Sequence, residues 1–386
     1  MFNGERLTYA RNRVGLSMQE IADCINVQRQ YIHKIETDKE NKSLSATQIE
    51  IIADFLGVYP EFFSSENTKR ISNDKLHFRS VAIPKYVQEQ AKIVAEDVVS
   101  VCQFIRDFIA PLGLSFPIFD LDEKIDSNNI QPDSLDVDEI ESITTQLREI
   151  LNLGGGPISN MVRILETQGI VVATAPEVSS KVDAFCNDDF FPVVVRNNTK
   201  SGVRCRFDLA HELAHLTLHK GITNDIIKYP EIENQANYFA SSLLLPRSTF
   251  VSEFPRFNNS RVPWNALIAM KKRWRVSIAS IITRAFHLGI IDNYSYKRAF
   301  VGLSTKGWRT NEPLDDKNEP DYIEQEQPEL LQNAVKMIMN THQEFLPKMR
   351  EALKLKPELI KQIIDMDDLD SQRFFREEKP FLSVVK

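Results

Sequence analysis

The stretch "RFDLAHELAHLTLH", Arg206 to His219, places three of the chain's seven histidines within nine residues of a Leu- and Ala-rich pattern. The apolar spacing predicts an amphipathic α-helix. His211 and His215 are four residues apart, so they share one helix face, where two imidazoles can reach one metal ion. Glu212 lies about 100° round the helix, where it can accept a proton from the water that attacks a substrate.

This HExxH arrangement indicates a catalytic Zn²⁺ site with His211 and His215 as ligands and Glu212 as the general base. Zinc lowers the pKa of a bound water to about 7 and polarises a carbonyl. The alternative is a chance match on a buried amphipathic helix. Such a match is expected on the order of once in a hundred chains of this length and histidine content.

Catalytic zinc usually has three protein ligands, and the segment "YPEIENQANYFASSLLLP" offers the third. The pattern predicts a helix that begins after Pro230, with two acidic candidates. Glu231 lies at the helix start, where an acid is expected as a partner of the helix dipole. Glu233, 18 residues after His215, is therefore the preferred ligand.

Two further polar residues are predicted to lie beside the ligands. Asn237 follows Glu233 by one helical turn and is placed to hydrogen-bond the far nitrogen of a histidine ligand, which fixes its tautomer. His219 continues the face of His211 and His215 but lies about 12 Å along the axis from the first. It is interpreted as a neighbour of the site or a structural histidine.

Outside this region the chain predicts a mainly helical fold with a small sheet, an α+β class. Three strands are predicted in "GIVVATA", "KVDAFC" and "FPVVVRN". The last one precedes the histidine helix, and two interpretations stay open. It is either a sheet edge that binds an extended substrate or an interior strand.

We expect four segments. They are residues 1–65, an all-α domain; 66–311, a zincin-like HExxH domain; 312–329, a solvated acidic linker; and 330–386, two or three helices. The linker prediction rests on eight acidic residues against one Lys in 312–329.

The N-terminal segment contains a helix-turn-helix pattern, "LSMQEIADCINVQRQYIHKIE". Asn26 lies in the turn, where a left-handed residue is needed. The second helix presents residue types that contact phosphates and base edges in a major groove. These are Gln28, Arg29, Gln30, Tyr31 and Lys34. Because residues 1–60 carry a net charge of −1, a protein-interaction module remains the alternative.

A second run of this kind, "WNALIAMKKRWRVSIASIITRAFHLGII", carries "KKRWR" next to an aromatic residue. Arg and Lys near aromatic side chains can engage nucleic acid. Packing within the enzyme's helical body is the preferred interpretation.

Residues 70–313 resemble the ImmA/IrrE family of metallo-endopeptidases. The resemblance rests on "LHFRS", "GGGPISNMVRILETQGI", the histidine helix with "ENQANYFASSLLLP", and "RWRVSIASIITRAFHLGII" with "STKGWRTNEP". It implies zinc bound by His211, His215 and Glu233, with Glu212 catalytic. Gln235 stands where the family often has an acid.

The first 60 residues resemble the Cro/repressor (XRE) helix-turn-helix family. That resemblance places Arg29, Gln30 and Lys34 at base-reading positions and implies operator DNA as a partner. Met18 replaces a glutamine that is usual there and removes one phosphate contact.

Together the two resemblances imply a regulatory zinc protease that cleaves a protein, expected to be a transcriptional repressor, in a stress response. The sequence contains no long apolar run and no apolar signal core, so a cytoplasmic protein without a membrane partner is expected. Homodimer formation is left open. The rival is a transcription regulator or toxin–antitoxin component whose metal domain senses a ligand or stress without proteolysis.

Overall fold

The computed structural model describes residues 2–37, 44–65, 85–125, 135–174, 184–187, 192–196, 199–219, 229–257 and 261–366. Within these ranges the chain is mostly helical with one three-stranded sheet, which confirms the predicted class. The motif "LHFRS" lies outside the described residues. The helices are α1 (Gly4–Arg13), α2 (Met18–Cys24), α3 (Arg29–Thr37), α4 (Ala46–Phe55), α5 (Lys85–Ile109), α6 (Leu121–Lys124), α7 (Val137–Ile150), α8 (Met161–Thr167), α9 (Gly202–Leu218), α10 (Tyr229–Leu244), α11 (Arg247–Glu253), α12 (Trp264–Trp274), α13 (Ile278–His287), α14 (Asn293–Thr305), α15 (Leu330–Thr341), α16 (Phe345–Leu353) and α17 (Pro357–Ile364).

The first helices begin and turn where the sequence specifies it. Ser17 and Glu20 form a reciprocal capping box at the start of α2, which satisfies two backbone N–H groups that the helix leaves unpaired. Asn26 adopts a φ of 54°, the left-handed conformation that the turn between α2 and α3 requires. Ile21 and Ile32 are fully buried where these two helices cross.

The sheet separates two hydrophobic cores. Its strands are β1 (Val171–Thr174), β2 (Ala184–Asn187) and β3 (Val193–Arg196), in the order β1-β3-β2. β1 is parallel to β3, and β2 is antiparallel to it. Side chains alternate between the two faces of a strand. Val171 and Val193 therefore lie in one core, whereas their neighbours Val172 and Val194 lie in the other.

The strand order shows whether the predicted third strand lies at an edge of the sheet or in its interior. β3 pairs on both sides, so it is an interior strand and offers no free edge to a substrate. Within the described sheet, β2 is the edge strand on the side that contacts α9.

The first core joins the N-terminal helices to the end of the chain. It contains residues from α1–α4, α5, one face of β1 and β3, and α15–α17. Val58 forms a β-bridge with Leu355, and Lys356 Nζ donates to Asp54 Oδ1 at 2.6 Å. The second core surrounds α9 and α10 and includes α7, α8 and α11–α14.

The acidic stretch 312–329 is not a solvated linker, so that prediction is wrong. Glu312 is 3% exposed and accepts from Lys271 Nζ at 2.9 Å and from the Ile278 amide at the start of α13 at 2.7 Å. Glu326 accepts from the Met161 amide at the start of α8 and pairs with buried Arg206. Carboxylates at helix N-termini and beside buried cations are stabilised there. The composition of the segment shows its charge, but it does not show that these carboxylates have buried partners.

Candidate metal centre and DNA-binding helix

α9 and α10 pack together and carry the predicted metal group. His211 and His215 are 0% and 2% exposed on α9, and Glu212 beside them is 1% exposed. Glu233 lies at the start of α10 and is 9% exposed. Residues 220–228, which connect the two helices, lie outside the described residues.

Three side chains converge on one point. His211 Nε2 is 3.3 Å from Glu233 Oε2, and His215 Nε2 is 3.3 Å from Glu233 Oε1. The two Nε2 atoms are 3.1 Å apart, and one ligand atom from each residue lies within 4.8 Å of the others. Glu231 is exposed and is not part of the group, which favours Glu233 between the two acidic candidates.

The chemistry of this donor set fits a bound cation. Burial opposes ionisation of Glu233, but the two imidazoles outweigh it and lower its pKa to about 2. Within the described chain, no hydrogen-bond donor other than these imidazoles reaches either oxygen of this buried carboxylate. Two imidazole nitrogens and one carboxylate form a three-ligand set that leaves a position open on zinc.

Asn237 lies where the sequence placed it, one turn after Glu233. Its Oδ1 is 3.2 Å from His211 Nδ1, so the amide oxygen accepts the Nδ1 proton. That hydrogen bond leaves the Nε2 lone pair of His211 directed at the metal group. It is the outer contact that commonly fixes the tautomer of a histidine ligand.

His215 is oriented through a chain of polar groups that ends at a backbone carbonyl. Gln235 Nε2 donates to the Leu135 carbonyl at 3.2 Å, so Gln235 Oε1 is the acceptor for His219 Nε2 at 3.1 Å. A neutral His219 that donates from Nε2 accepts at Nδ1, which is 3.0 Å from His215 Nδ1. His215 therefore carries its proton on Nδ1, and its Nε2 lone pair is available to a cation.

Most of this chain of polar groups is not predicted by the sequence. The sequence indicates His219 only as a neighbour of the site or a structural histidine, and Gln235 only as a departure from the ImmA/IrrE pattern. The spacing of His215, His219 and Gln235 could have indicated that the three side chains are linked. His219 follows His215 by one turn, and Gln235 lies two residues beyond Glu233 on the neighbouring helix.

A buried ion pair fixes α10 behind the ligands. Arg284 on α13 donates to both oxygens of Glu141 on α7, at 2.5 Å and 3.0 Å. Tyr238 and Ser242 of α10 donate to the same carboxylate at 2.8 Å and 2.9 Å. Burial opposes ionisation of Glu141, but these donors, Arg284 first, outweigh it and lower its pKa. The network holds the helix that carries Glu233 against α7 and α13.

The predicted DNA-reading side chains lie on the outer face of α3. Gln28, Arg29, Gln30 and Lys34 are exposed, and Tyr31 is half-buried. His33 is also exposed on this helix and was not among the predicted residues. On the opposite face, Ile32 and Ile35 are buried in the first core, so the amphipathic pattern fixes which side of α3 meets a partner.

Two basic or aromatic side chains of the second helix-turn-helix-like run pack inside the protein. Lys271 and Trp274 are buried on α12. Lys271 pairs with Glu312, and the Trp274 indole donates to Glu253 at 2.8 Å. Both residues therefore belong to the helical body, as the preferred interpretation has it.

Two known families match separate parts of the chain. Residues 165–286 match the IrrE N-terminal-like domain, Peptidase_M78, and residues 7–63 match a helix-turn-helix family, HTH_3. The two matches confirm the resemblances seen in the sequence. The metal group and Glu212 fall within the first matched range, and the outer face of α3 falls within the second. Searching curated proteins with the chain returned no match. Within the described ranges, every helix is too short or too polar to cross a bilayer.

Proposed function

We propose that this chain is a zinc-dependent endopeptidase that cleaves a protein partner and binds DNA through its N-terminal helices. The observation that carries the proposal is the buried group of His211, His215 and Glu233 on the same helix pair as Glu212. A buried carboxylate between two imidazoles has the composition of a zinc site with one position open to substrate.

In this proposal each side chain has a separate task. His211, His215 and Glu233 hold Zn²⁺, which supplies a Lewis acid for the scissile carbonyl and acidifies water. Glu212 accepts a proton from the attacking water and returns it to the leaving amine. Asn237 and His219 act as positioning residues because they hold the two imidazoles with Nε2 toward the cation.

The substrate is proposed to be an extended protein segment that pairs with β2. An edge strand has unpaired N–H and C=O groups along one side, and these can bind a peptide backbone. β2 is the described edge strand next to α9, whereas β3 is enclosed by its neighbours. The proposed protein substrate is a transcriptional repressor, cleaved in response to stress.

DNA binding is proposed to use α3 in a major groove. Arg29, Gln30 and Lys34 are exposed on its outer face and can reach base edges. Because residues 1–60 carry no net positive charge, we expect few phosphate contacts, or binding as a dimer, and a shallow salt dependence. A protease bound at an operator would meet a repressor there at a high local concentration.

Metal binding is tested with a pair of matched variants. The wild-type chain should purify with about one zinc ion, and Glu233→Ala should lose it because a three-ligand site loses one ligand. Glu231→Ala removes the same group two residues earlier from an exposed position, so it should keep the metal. Full zinc occupancy in Glu233→Ala would overturn the ligand assignment.

Proteolysis is tested separately, because a sensor with an intact metal site would also bind zinc. Cells that express wild type or Glu212→Gln are compared for new protein N-termini under stress. Glu212→Gln should keep zinc and lose the cleavage products, since an amide cannot accept the proton. Cleavage by Glu212→Gln at the wild-type rate would exclude this residue as the base. If wild type generates no cleavage products in any stress condition, the sensor interpretation is correct instead.

A further inference from the structure

A second candidate site lies at the first core, whereas the metal group lies in the second; it is where the N-terminal helices meet α5 and the C-terminal end of α16. It is a cavity of about 270 Å³. Its walls include Arg6 and Tyr9 of α1, Phe62, Asp97 and Ser100 of α5, and residues 352–355. At about 30 Å³ for each water in the liquid, the cavity has the volume of roughly nine waters.

Arg6 is the buried cation of this cavity, and most of its hydrogen-bonding capacity is unused. It is 4% exposed, and its guanidinium lies 3.6 Å from the centre of the Phe62 ring. Nε donates to the Phe62 carbonyl at 3.3 Å. Across the described part of the chain, Arg6 forms no further hydrogen bond and no ion pair, so the donors of Nη1 and Nη2 remain unused. These two nitrogens are not among the buried polar atoms closed off from solvent, so a ligand in the cavity can reach them.

The carboxylate and the serine that α5 contributes to the cavity wall are already engaged, and Lys354 is a second, half-buried cation there. Asp97 accepts from Tyr9 Oη at 3.2 Å and from Arg13 Nη1 at 3.4 Å. Ser100 Oγ donates to the Glu96 carbonyl at 2.6 Å. Burial lowers the pKa of Arg6, and Arg13 acts in the same direction, while Tyr9, Asp97 and Glu96 oppose them. The nearby acids attract Arg6 at a distance without occupying its two terminal nitrogens.

We propose that this cavity binds a small metabolite that bears an oxyanion, a carboxylate or a phosphate, held by the terminal nitrogens of Arg6. Guanidinium groups bind such oxyanions with two parallel hydrogen bonds. Phe62 and Tyr9 provide aromatic walls for a flat apolar body, and the volume limits the ligand to about the size of a single ring with its head group.

The position of the cavity gives the ligand a regulatory role. One wall belongs to the helix-turn-helix domain, another to α5, and a third to the end of α16 and the two residues that follow it. A ligand that contacts all three binds the docked arrangement and stabilises it by mass action. The readout is therefore ligand binding and the rise in unfolding temperature that the ligand causes at a fixed zinc content, and neither requires DNA or proteolysis.

The test uses three probes that share one ring and differ in the head group: benzoate, phenyl phosphate and the neutral benzamide. Binding to the full chain is measured by ligand-observed NMR titration up to about 10 mM, ten times a Kd of 1 mM. We expect at least one anion to bind and to raise the unfolding temperature, and benzamide to do neither. The stronger of the two anions identifies the head group as carboxylate or phosphate.

Two variants locate the binding. Arg6→Gln removes the cation, and Ala352→Phe adds a ring at an exposed position of the cavity wall, where it should not disturb folding. Both should weaken the anion at least about tenfold. Arg247→Gln removes an exposed arginine on α11, and Glu351→Phe adds the same ring outside the cavity, so both should bind as wild type does.

Three results would overturn the proposal. The first is that neither anion binds at the highest concentration, and the second is that benzamide binds as well as they do. The third is unchanged binding in Ala352→Phe, which decides the question even if Arg6→Gln does not fold.

Discussion

His219→Phe should weaken zinc binding although His219 is not among the proposed ligands. The substitution keeps a ring of similar size in a fully buried position and removes the acceptor 3.0 Å from His215 Nδ1. Without metal, His215 can move its proton to Nε2 and donate to Glu233 Oε1, 3.3 Å away. With metal, Nε2 must hold the cation, so the proton stays on Nδ1 and loses its acceptor. The cost therefore falls on the metal-bound form.

Two general magnitudes give the expected loss of zinc affinity. Loss of an outer hydrogen bond to a histidine ligand typically lowers metal affinity about 10- to 100-fold, or about 1.4–2.7 kcal/mol. A buried donor that loses its acceptor costs about 1–3 kcal/mol. The two ranges agree because they describe the same buried N–H group. Gln235→Leu, which acts one link further out, should have a smaller effect of the same sign.

Zinc affinity is measured by competition with a fluorescent chelator, and circular dichroism checks that each variant is folded. Thr217→Val is the matched control. Thr217 is buried two residues before His219, and its hydroxyl donates to the Leu213 carbonyl within α9 rather than to the site. An affinity for zinc in His219→Phe within about twofold of wild type, or an equal loss in Thr217→Val, would refute the reasoning.

Three further predictions concern DNA binding, acid stability and the acidic segment. Arg29→Ala should relax preference at one base pair by about 1–3 kcal/mol in fluorescence-anisotropy titrations, whereas a lost phosphate contact would weaken all sequences equally. Glu141→Gln should lower the free energy of unfolding at pH 7 by about 3–5 kcal/mol, because Arg284 is left buried without its partner. The pKa of Glu141 is lowered from 4.5 in the folded chain, so its contribution to the free energy of unfolding is present above pH 4.5 and disappears as the pH falls through the lower folded value. In urea titrations at several pH values, Glu141→Gln should therefore lose less stability on acidification than wild type does. An unchanged pH profile would contradict this. Lys271→Met should destabilise the chain by a similar amount by leaving Glu312 buried beside an apolar group, and a stability equal to wild type in urea would show that the acidic segment is not anchored there.

Local features of the fold could be predicted from sequence because their causes lie within a few residues. The capping box of Ser17 and Glu20 and the left-handed Asn26 depend on short-range hydrogen bonds and sterics. The pair His211 and His215 follows from the helical repeat alone. The choice of Glu233 needed a second argument, because the position of α10 relative to α9 depends on packing. The predicted start of α10 provided that argument, since it gave Glu231 a different role.

Features that join distant parts of the chain could not be predicted in this way. Charge alone made residues 312–329 look solvated, since nothing local reveals that Glu312 meets Lys271. The link from His215 through His219 to Gln235 needs the geometry of two helices. The third strand was undecided because an apolar run reads alike at an edge and in the interior, and only pairing with β1 and β2 settles it.

The bridge between Val58 and Leu355 has a consequence for how the protein is made. Lys356 and its partner Asp54 are 302 residues apart, and ribosomes add about 5–20 residues each second. The N-terminal helices therefore emerge roughly 15–60 s before the segment that completes their core. During this interval they are held only by their own contacts and, once it has been synthesised, by α5. A ribosome that stalls before residue 355 would release a chain with this apolar surface uncovered, which is a form that chaperones and proteases recognise. The N-terminal helices are thus translated well before the segment that completes their packing.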